Sequence, residues 1–392
     1  MTTFIQNLSD QLQKARDKQQ WRTLREVIPT NAVQATVDGK RCWMFSSNDY
    51  LGLSMHPDIL QRATDILQSH GLGAGASRLI SGSTDWHQRL QRRLAQWKQR
   101  PQSLVFGTGY AANLSAIASI ATAKDIVIID KLCHASLIDA VKLSGATWRS
   151  FPHLNYDKLR ELLKKYDSSE KKIIVTDAVF SMDGDCANLK ELVAIKKEFD
   201  AVLMVDDAHG TGVFGPACGS GWEEQQEVAQ DIDISVGTLS KALGAFGGFI
   251  VAQETIIEHF INYARPFIFS TALPAAVAGA AEKAIELIET QPALRATLWK
   301  NVHQLNEGLM MLKLIEQPSL SPIIPIIVGE SEKAVVLSRF LQDHQCFVPA
   351  IRPPAVGLGQ ARLRISLSAK HSPEMCAHLL NVLETAKQKG LV

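Results

Sequence analysis

Two segments join the pattern of a buried strand to ionisable ends. Residues 201–210, AVLMVDDAHG, begin as an apolar run suited to a sheet interior, yet they end in Asp206, Asp207 and His209. A carboxylate at the end of a buried strand is costly to desolvate unless a cation meets it. A protonated pyridinium nitrogen is one such partner, and keeping that proton is what makes a pyridoxal ring an electron sink. A capping aspartate followed by a loop histidine fits the same residues. In residues 233–249, DISVGTLSKALGAFGGF, Lys241 follows a strand among small and hydroxyl-bearing residues, with Gly237, Gly244, Gly247 and Gly248 around it. A lysine becomes a nucleophile when desolvation or a neighbouring cation lowers its pKa. Thr238 and Ser240 offer hydroxyls and N–H groups suited to phosphate. A solvated lysine in a flexible loop is the alternative reading.

Two further segments could serve the same site. Residues 103–117, SLVFGTGYAANLSAI, read as a strand, a glycine turn and a helix start, where free N–H groups bind phosphate readily. Many glycine turns serve geometry alone. In residues 130–140, DKLCHASLIDA, His134 opens a helix just after a strand, a place equally open to a structural histidine. GLGAGA at 71–76 fits a dinucleotide-binding pattern but follows the helical run DILQRATDILQSH instead of a strand, so turn chemistry explains it better.

The elements that must position these residues alternate regularly. Between about residues 100 and 250, apolar strands (DIVIID, KKIIVTDAVF, AVLMVD, DISVGT) alternate with helical stretches such as ASLIDAVKLSG and LKELVAIKKEF. Strands apolar on both faces with helices between them predict a parallel α/β sheet, whose ligands lie beyond the carboxyl strand ends. Long helices follow Pro274; then the strand IIPIIV, a helix from Ser331, the strand ARLRISLS and a last helix predict a smaller α/β domain. The predicted division is an N-terminal helix and arm (1–45), a large domain (46–285) and a small C-terminal domain (286–392).

Composition is that of a globular chain: 392 residues, 46% hydrophobic and 21% charged. A net charge of +1 gives no electrostatic reason to seek nucleic acid or an anionic membrane. No apolar stretch is long enough to span a bilayer, and the N-terminus lacks a signal-peptide core, so a cytoplasmic location is expected. The six cysteines are scattered without metal-ligand spacing and read as reduced thiols; no metal is expected.

Taken together, the segments resemble the α-oxoamine synthases, a family of fold-type I (aspartate-aminotransferase-like) pyridoxal-phosphate enzymes. The likeness runs from about Arg22 to the last helix through FSSNDYLGLS (45–54), GLGAGASRLISG (71–82), GTGYAAN (107–113), CHASLIDA (133–140), FSMDGD (180–185), DDAHGTGV (206–213), TLSKALGAFGG (238–248), FSTALP (269–274), AIRPP (350–354) and ARLRIS (361–366). The resemblance implies Lys241 as the Schiff-base lysine and catalytic base, Asp206 as the pyridinium partner, and His134 as a ring-stacking residue assisting proton transfer. It implies a hydrogen bond from His209 to the phenolic oxygen, cofactor contacts from Gly109, Tyr110, Ser181 and Thr238, and a phosphate contact from Ser270 and Thr271 across a homodimer interface. Arg364 would clamp an amino-acid carboxylate, a task suited to a planar guanidinium. Asn48, Arg22 and the position of Ala355 would line the substrate side.

The implied reaction is a decarboxylative condensation of an amino acid with an acyl thioester. The biotin-pathway branch fits best, which would join L-alanine to a pimeloyl group carried on CoA or an acyl-carrier protein. Sibling reactions of the glycine C-acetyltransferase, 5-aminolevulinate synthase or serine palmitoyltransferase type are the alternatives, followed by aminotransfer and by a non-catalytic protein retaining the fold. Ala355 stands where that branch usually has Thr, removing a hydroxyl expected near the acyl substrate. Ala178 stands where Gly is expected, and Ala275 where a second Pro is.

Overall fold

The computed structural model describes residues 2–18, 20–166 and 171–392. The chain divides into two compact units, one of residues 48–181 and 185–298, the other of the N-terminal segment up to Ser47, residues 182–184 and residues 299–392.

The larger unit is organised by a seven-stranded sheet in the order Gln102–Phe106, Gly248–Ala252, Ile234–Thr238, Val202–Asp206, Lys172–Asp177, Ile126–Asp130, Thr147–Phe151. Pairing is parallel from Ile234–Thr238 through to Thr147–Phe151. Gly248–Ala252 alone runs antiparallel to its two neighbours. Ile126–Asp130, Ile234–Thr238 and Gly248–Ala252 are buried at every position, as a sheet covered on both faces requires. The returning helices bury one stripe each, such as Leu159 and Leu163 of Tyr156–Lys165. Their starts are fixed by side-chain caps: Asn155 accepts from the Lys158 N–H and Asn188 from that of Glu191. Beside the sheet, Ala275–Thr290 packs on Pro57–His70 and Asp85–Trp97. A Cβ at Gly279 would stand 2.0 Å from Ile66 Cδ1, so the alanine-rich face AAVAGAA lets these helices approach closely.

The smaller unit holds two sheets. Val27–Asn31, Gln34–Val37 and Lys40–Met44 form an antiparallel meander whose last strand pairs in parallel with Cys346–Phe347. Ile323–Gly329, Ala361–Ser366 and Ala350–Ile351 form the second sheet, with antiparallel pairings. Helices Ser331–Asp343 and Pro373–Gln388 belong to the same unit.

The parallel α/β architecture follows the alternation in the sequence, and three features differ from it. The segment up to residue 45 is more than a helix and an arm, because Lys40–Met44 needs Cys346–Phe347 as its sheet neighbour. A boundary at 285/286 would cut the continuous helix Ala275–Thr290; the chain changes units after Leu298 instead. The strand Gly248–Ala252 has only five residues, its glycine start hides it from a periodicity reading, and it reverses direction after the Lys241 loop. Among the described residues, no helix is long and apolar enough to cross a membrane.

One buried ion pair stands out in the larger unit. Lys98 Nζ lies 2.8 Å from Asp207 Oδ2, with side-chain exposures of 2% and 0%. The Trp222 N–H donates to the same carboxylate. Burial pushes the Asp207 pKa up, and the ammonium of Lys98 counters it. Lys98→Met removes the cation and leaves the carboxyl in a dry site. The expected loss is about 3–5 kcal/mol of unfolding free energy, read by urea denaturation. An unchanged midpoint would show that Asp207 finds its stabilisation elsewhere.

Candidate active site

Five strand ends on one edge of the large sheet lead into the same cleft, which has a volume of about 180 Å³. Residues lining it follow the carboxyl ends of Gln102–Phe106 (Gly109, Tyr110), Ile126–Asp130 (His134, Ser136), Lys172–Asp177 (Val179, Ser181), Val202–Asp206 (Ala208, His209) and Ile234–Thr238 (Lys241). Nothing but the parallel topology brings these distant segments together.

At one wall, Asp206 is buried, and its two oxygens are held by different donors. The Asn113 amide Nδ2 donates to Oδ2 at 2.6 Å and the Ala208 N–H to Oδ1 at 3.0 Å. Asn113 also reaches Ser136 Oγ at 2.9 Å, while its buried Oδ1 has no hydrogen-bond partner. Asp177 faces Asp206 directly on the adjacent strand. Burial first, and then the Asp206 charge, hold the Asp177 pKa well above the usual carboxylate range.

His134 caps the helix Ala135–Ser144, its Nδ1 lying 2.7 Å from Ser136 Oγ. Burial lowers its pKa; Asp206 pulls the other way and Lys241 adds to the lowering. A neutral imidazole therefore faces the cleft at neutral pH, within electrostatic reach of both groups. Across the cleft, Tyr50 Oη sits 2.7 Å from His209 Nδ1 and 3.2 Å from Asn48 Oδ1. Asn48 thus joins the site through a tyrosine.

The opposite end of the cleft is suited to an anion. Thr108 caps the helix Gly109–Ala118 by accepting from the Ala111 N–H, leaving the N–H groups of Gly109 and Tyr110 outside the helix ladder. A Cβ on Gly109 would come within 3.6 Å of Thr238 Oγ1, so hydroxyl and helix start share one concavity. Close packing fixes it further: a Cβ at Gly248 would lie 2.5 Å from Gly109 Cα and 2.6 Å from Gly109 N, a collision with backbone. The loop bearing Lys241 is tied across its base. Thr238 Oγ1 donates to the Gly247 carbonyl at 2.9 Å, and the Gly247 N–H donates to Ser240 Oγ at 3.1 Å.

Not every expected residue lies on this wall. Thr271 is exposed and forms an isolated bridge with Ser77, away from the cleft lining of its own chain. Arg364, Arg22 and Ala355 belong to the smaller unit. There Arg364 is buried and donates to Ser366 Oγ at 2.7 Å. Arg22 is exposed; burial and then the Arg22 charge lower the pKa of Arg352, which precedes the Pro353–Pro354–Ala355 turn. Asn113, Ser136, Asp177 and Tyr50 were not assigned from the sequence, although all but Asp177 sit inside the motifs GTGYAAN, CHASLIDA and FSSNDYLGLS. A polar residue at the end of the apolar strand KIIVTD was the available signal for Asp177.

The donor set fits pyridoxal phosphate. A held carboxylate suits a protonated ring nitrogen, a helix start with a threonine suits a phosphate, and an amine lies in the same cleft to hold an aldehyde.

The family profile described as aminotransferase class I and II matches residues 40–383. The 8-amino-7-oxononanoate synthase of Geobacter sulfurreducens is 42% identical over 94% of this chain and 94% of its own length. Among solved structures, the serine palmitoyltransferase of S. paucimobilis with a bound pyridoxal-phosphate–myriocin adduct superposes with a TM-score of 0.93 at 30% identity, covering 98% of each chain. The 8-amino-7-oxononanoate synthase of Francisella tularensis gives a TM-score of 0.78 at 28% identity, over 90% of this chain and 99% of that one. The chain therefore belongs to the class I and II aminotransferase family and, within it, to the α-oxoamine synthases, pyridoxal-phosphate-dependent acyltransferases of fold type I.

Proposed function

We propose that this chain condenses L-alanine with a pimeloyl thioester, on CoA or an acyl-carrier protein, releasing CO2, free thiol and 8-amino-7-oxononanoate for biotin synthesis. The observation that carries the reading is the convergence of Lys241, the doubly held Asp206 and a neutral His134 on one cleft. The 42% identity to a synthase of that name supports this branch. The high TM-score to a serine palmitoyltransferase favours a second reading, in which serine and a long-chain acyl thioester react. Fold similarity is shared by all branches, and the Francisella synthase at 28% stands no nearer than the palmitoyltransferase at 30%, so the preference for the first reading rests on the 42% full-length identity to the Geobacter synthase.

In this reading Lys241 Nζ would hold the cofactor, and the same amine, once free, would take the Cα proton of the bound amino acid. Bound pyridoxal phosphate supplies an electron sink for the charge left at Cα. Asp206 would pair with the ring nitrogen, and Asn113 with the Ala208 N–H keeps its carboxylate aimed. The N–H groups of Gly109 and Tyr110, with Thr238, hold the phosphate. His134 covers the ring face and passes protons near the acyl carbonyl; its depressed pKa leaves it uncharged beside a cationic ring. Ser181 and His209 orient the ring through its phenolic oxygen, with Tyr50 fixing the His209 imidazole. Arg364 binds the substrate carboxylate, while Arg22 and Asn48 line the acyl path. Ala355 offers that path a methyl group in place of a hydroxyl. The protein is read as a cytoplasmic homodimer in which Ser270 and Thr271 complete the partner's phosphate site; equilibrium sedimentation tests the dimer.

Lys241→Ala is expected to abolish turnover and the visible absorbance of the holoenzyme. A near-ultraviolet pyridoxyl absorbance that survives borohydride reduction and dialysis of that variant would place the cofactor on another residue. Asp206→Asn should keep the fold by circular dichroism and lower kcat by roughly 10²-fold or more, the scale of losing one preorganised electrostatic group; near-normal turnover would remove its role. A screen of L-alanine, glycine and L-serine against thioesters of graded length, read by thiol release and product mass, decides the branch. Serine with a long-chain thioester as the preferred pair would overturn the proposal.

A further inference from the structure

His153 lies outside the cleft lining, yet it is hydrogen-bonded to two loops that enter it. Its Nδ1 is 3.0 Å from Asp130 Oδ1 and its Nε2 2.8 Å from Asp185 Oδ2. The ring also stands edge-on to Phe180, centroids 4.3 Å apart. Asp130 ends the strand Ile126–Asp130 and is fully buried; it further accepts the N–H groups of Leu132 at 2.8 Å and Leu154 at 2.9 Å. From there the chain turns through Cys133, whose N–H donates to the Asp130 carbonyl, directly into His134. Asp185 closes the other loop. Its carbonyl accepts the Phe180 N–H at 2.9 Å, and Val179 bridges Cys186, so residues 178–187 form a hairpin with Ser181 near its tip.

Two carboxylates on opposite ring nitrogens require an imidazole that donates at both ends, which only the protonated ring can do. Burial alone would lower the His153 pKa, but the two hydrogen bonds carry it up to about 10. The ring therefore stays doubly donating through the neutral range. The backbone beside it is also unusual: Leu154 has φ of +54°, a left-handed conformation that a leucine adopts only when its surroundings impose it, and it turns the Leu154 N–H toward Asp130.

We propose that His153 is a positioning residue, a charged clamp that fixes the turn leading to His134 relative to the hairpin carrying Ser181. The functional part rests on the reading above, in which both residues contact the cofactor. The imidazolium touches neither cofactor nor substrate; it acts through Asp130 and Asp185.

The test uses the full-length chain with His153→Gln, whose side chain donates from one end only. Hydrogen exchange is expected to accelerate in residues 131–134 and 178–187 while the remaining sheet keeps its protection. The dissociation constant of pyridoxal phosphate, read by fluorescence titration, should rise about tenfold, since small misplacements of site groups carry large penalties. Asp185→Asn keeps the Asp130 contact and weakens the other. It should shift both readouts the same way by less, and the double variant should be no worse than His153→Gln alone. Unchanged exchange in the two segments with unchanged cofactor affinity would sink the clamp. So would a lowered melting temperature with unchanged affinity. If His153→Gln does not fold, Asp185→Asn decides by the same two measurements. Exchange reports the clamp with or without cofactor, so failure of the functional reading, seen as no borohydride-fixed label on Lys241 of the wild-type chain, is told apart from it.

Discussion

A negative charge at the dry end of a parallel strand is the constraint around which the larger unit is arranged. Val202–Asp206 is buried at four of its five positions, and its terminal carboxylate leaves water with it. Desolvating such a group costs several kcal/mol unless donors and a cation replace the lost hydration. Asn113 and the Ala208 N–H supply the donors. The opposing Asp177 has its pKa driven upward by the same burial and by its charged neighbour, which the His134 N–H and Lys241 only partly offset. Two carboxyls therefore stand in register at the cleft, one held by two donors and the other pushed toward its neutral form. A cofactor with a cationic ring nitrogen is the complement to that arrangement.

The remaining machinery inherits its position from topology. Strand ends in a parallel sheet face one way, so segments more than a hundred residues apart in sequence meet at one edge without long connecting loops. The two helix starts at the cleft, Gly109–Ala118 and Ala135–Ser144, bring partial positive charge to the same edge. The antiparallel strand Gly248–Ala252 then seats itself against the first of these, and only glycine at 248 permits the approach. Buried charge below the edge, in Lys98 and Asp207, holds the turn that follows Asp206.

Much of this was legible in the residues. Apolar runs of five or six with charged ends mark buried strands and the edge where ligands sit, which is why Asp206, His209, Lys241 and His134 could be expected near one cleft, while the roles expected of them came from the family resemblance. Less visible were residues that work through others. Asn113 lies one turn into a helix of unremarkable composition, and only the fold shows that it faces a carboxylate from residue 206. His153, in FPHLNY, carries no pattern of its own; its meaning depends on Asp130 and Asp185, 23 and 32 residues away. The N-terminal meander was hidden for a related reason. Val27–Asn31 is exposed throughout, so it lacks the alternation by which a half-buried strand is read, and the partner that completes its sheet lies 300 residues downstream.

That last pairing governs the order in which the molecule can be made. Cys346–Phe347 must be synthesised before Lys40–Met44 has its parallel neighbour, so that strand waits for about 300 further residues before its sheet is complete. The larger unit, by contrast, has all its strands once residue 252 has emerged. Biosynthesis thus completes the sheet bearing Lys241 and Asp206 well before the smaller unit, with its Arg364, can close on itself. A nascent chain that has not yet reached residue 346 carries the finished sheet of the larger unit while the edge of Lys40–Met44 is still unpaired.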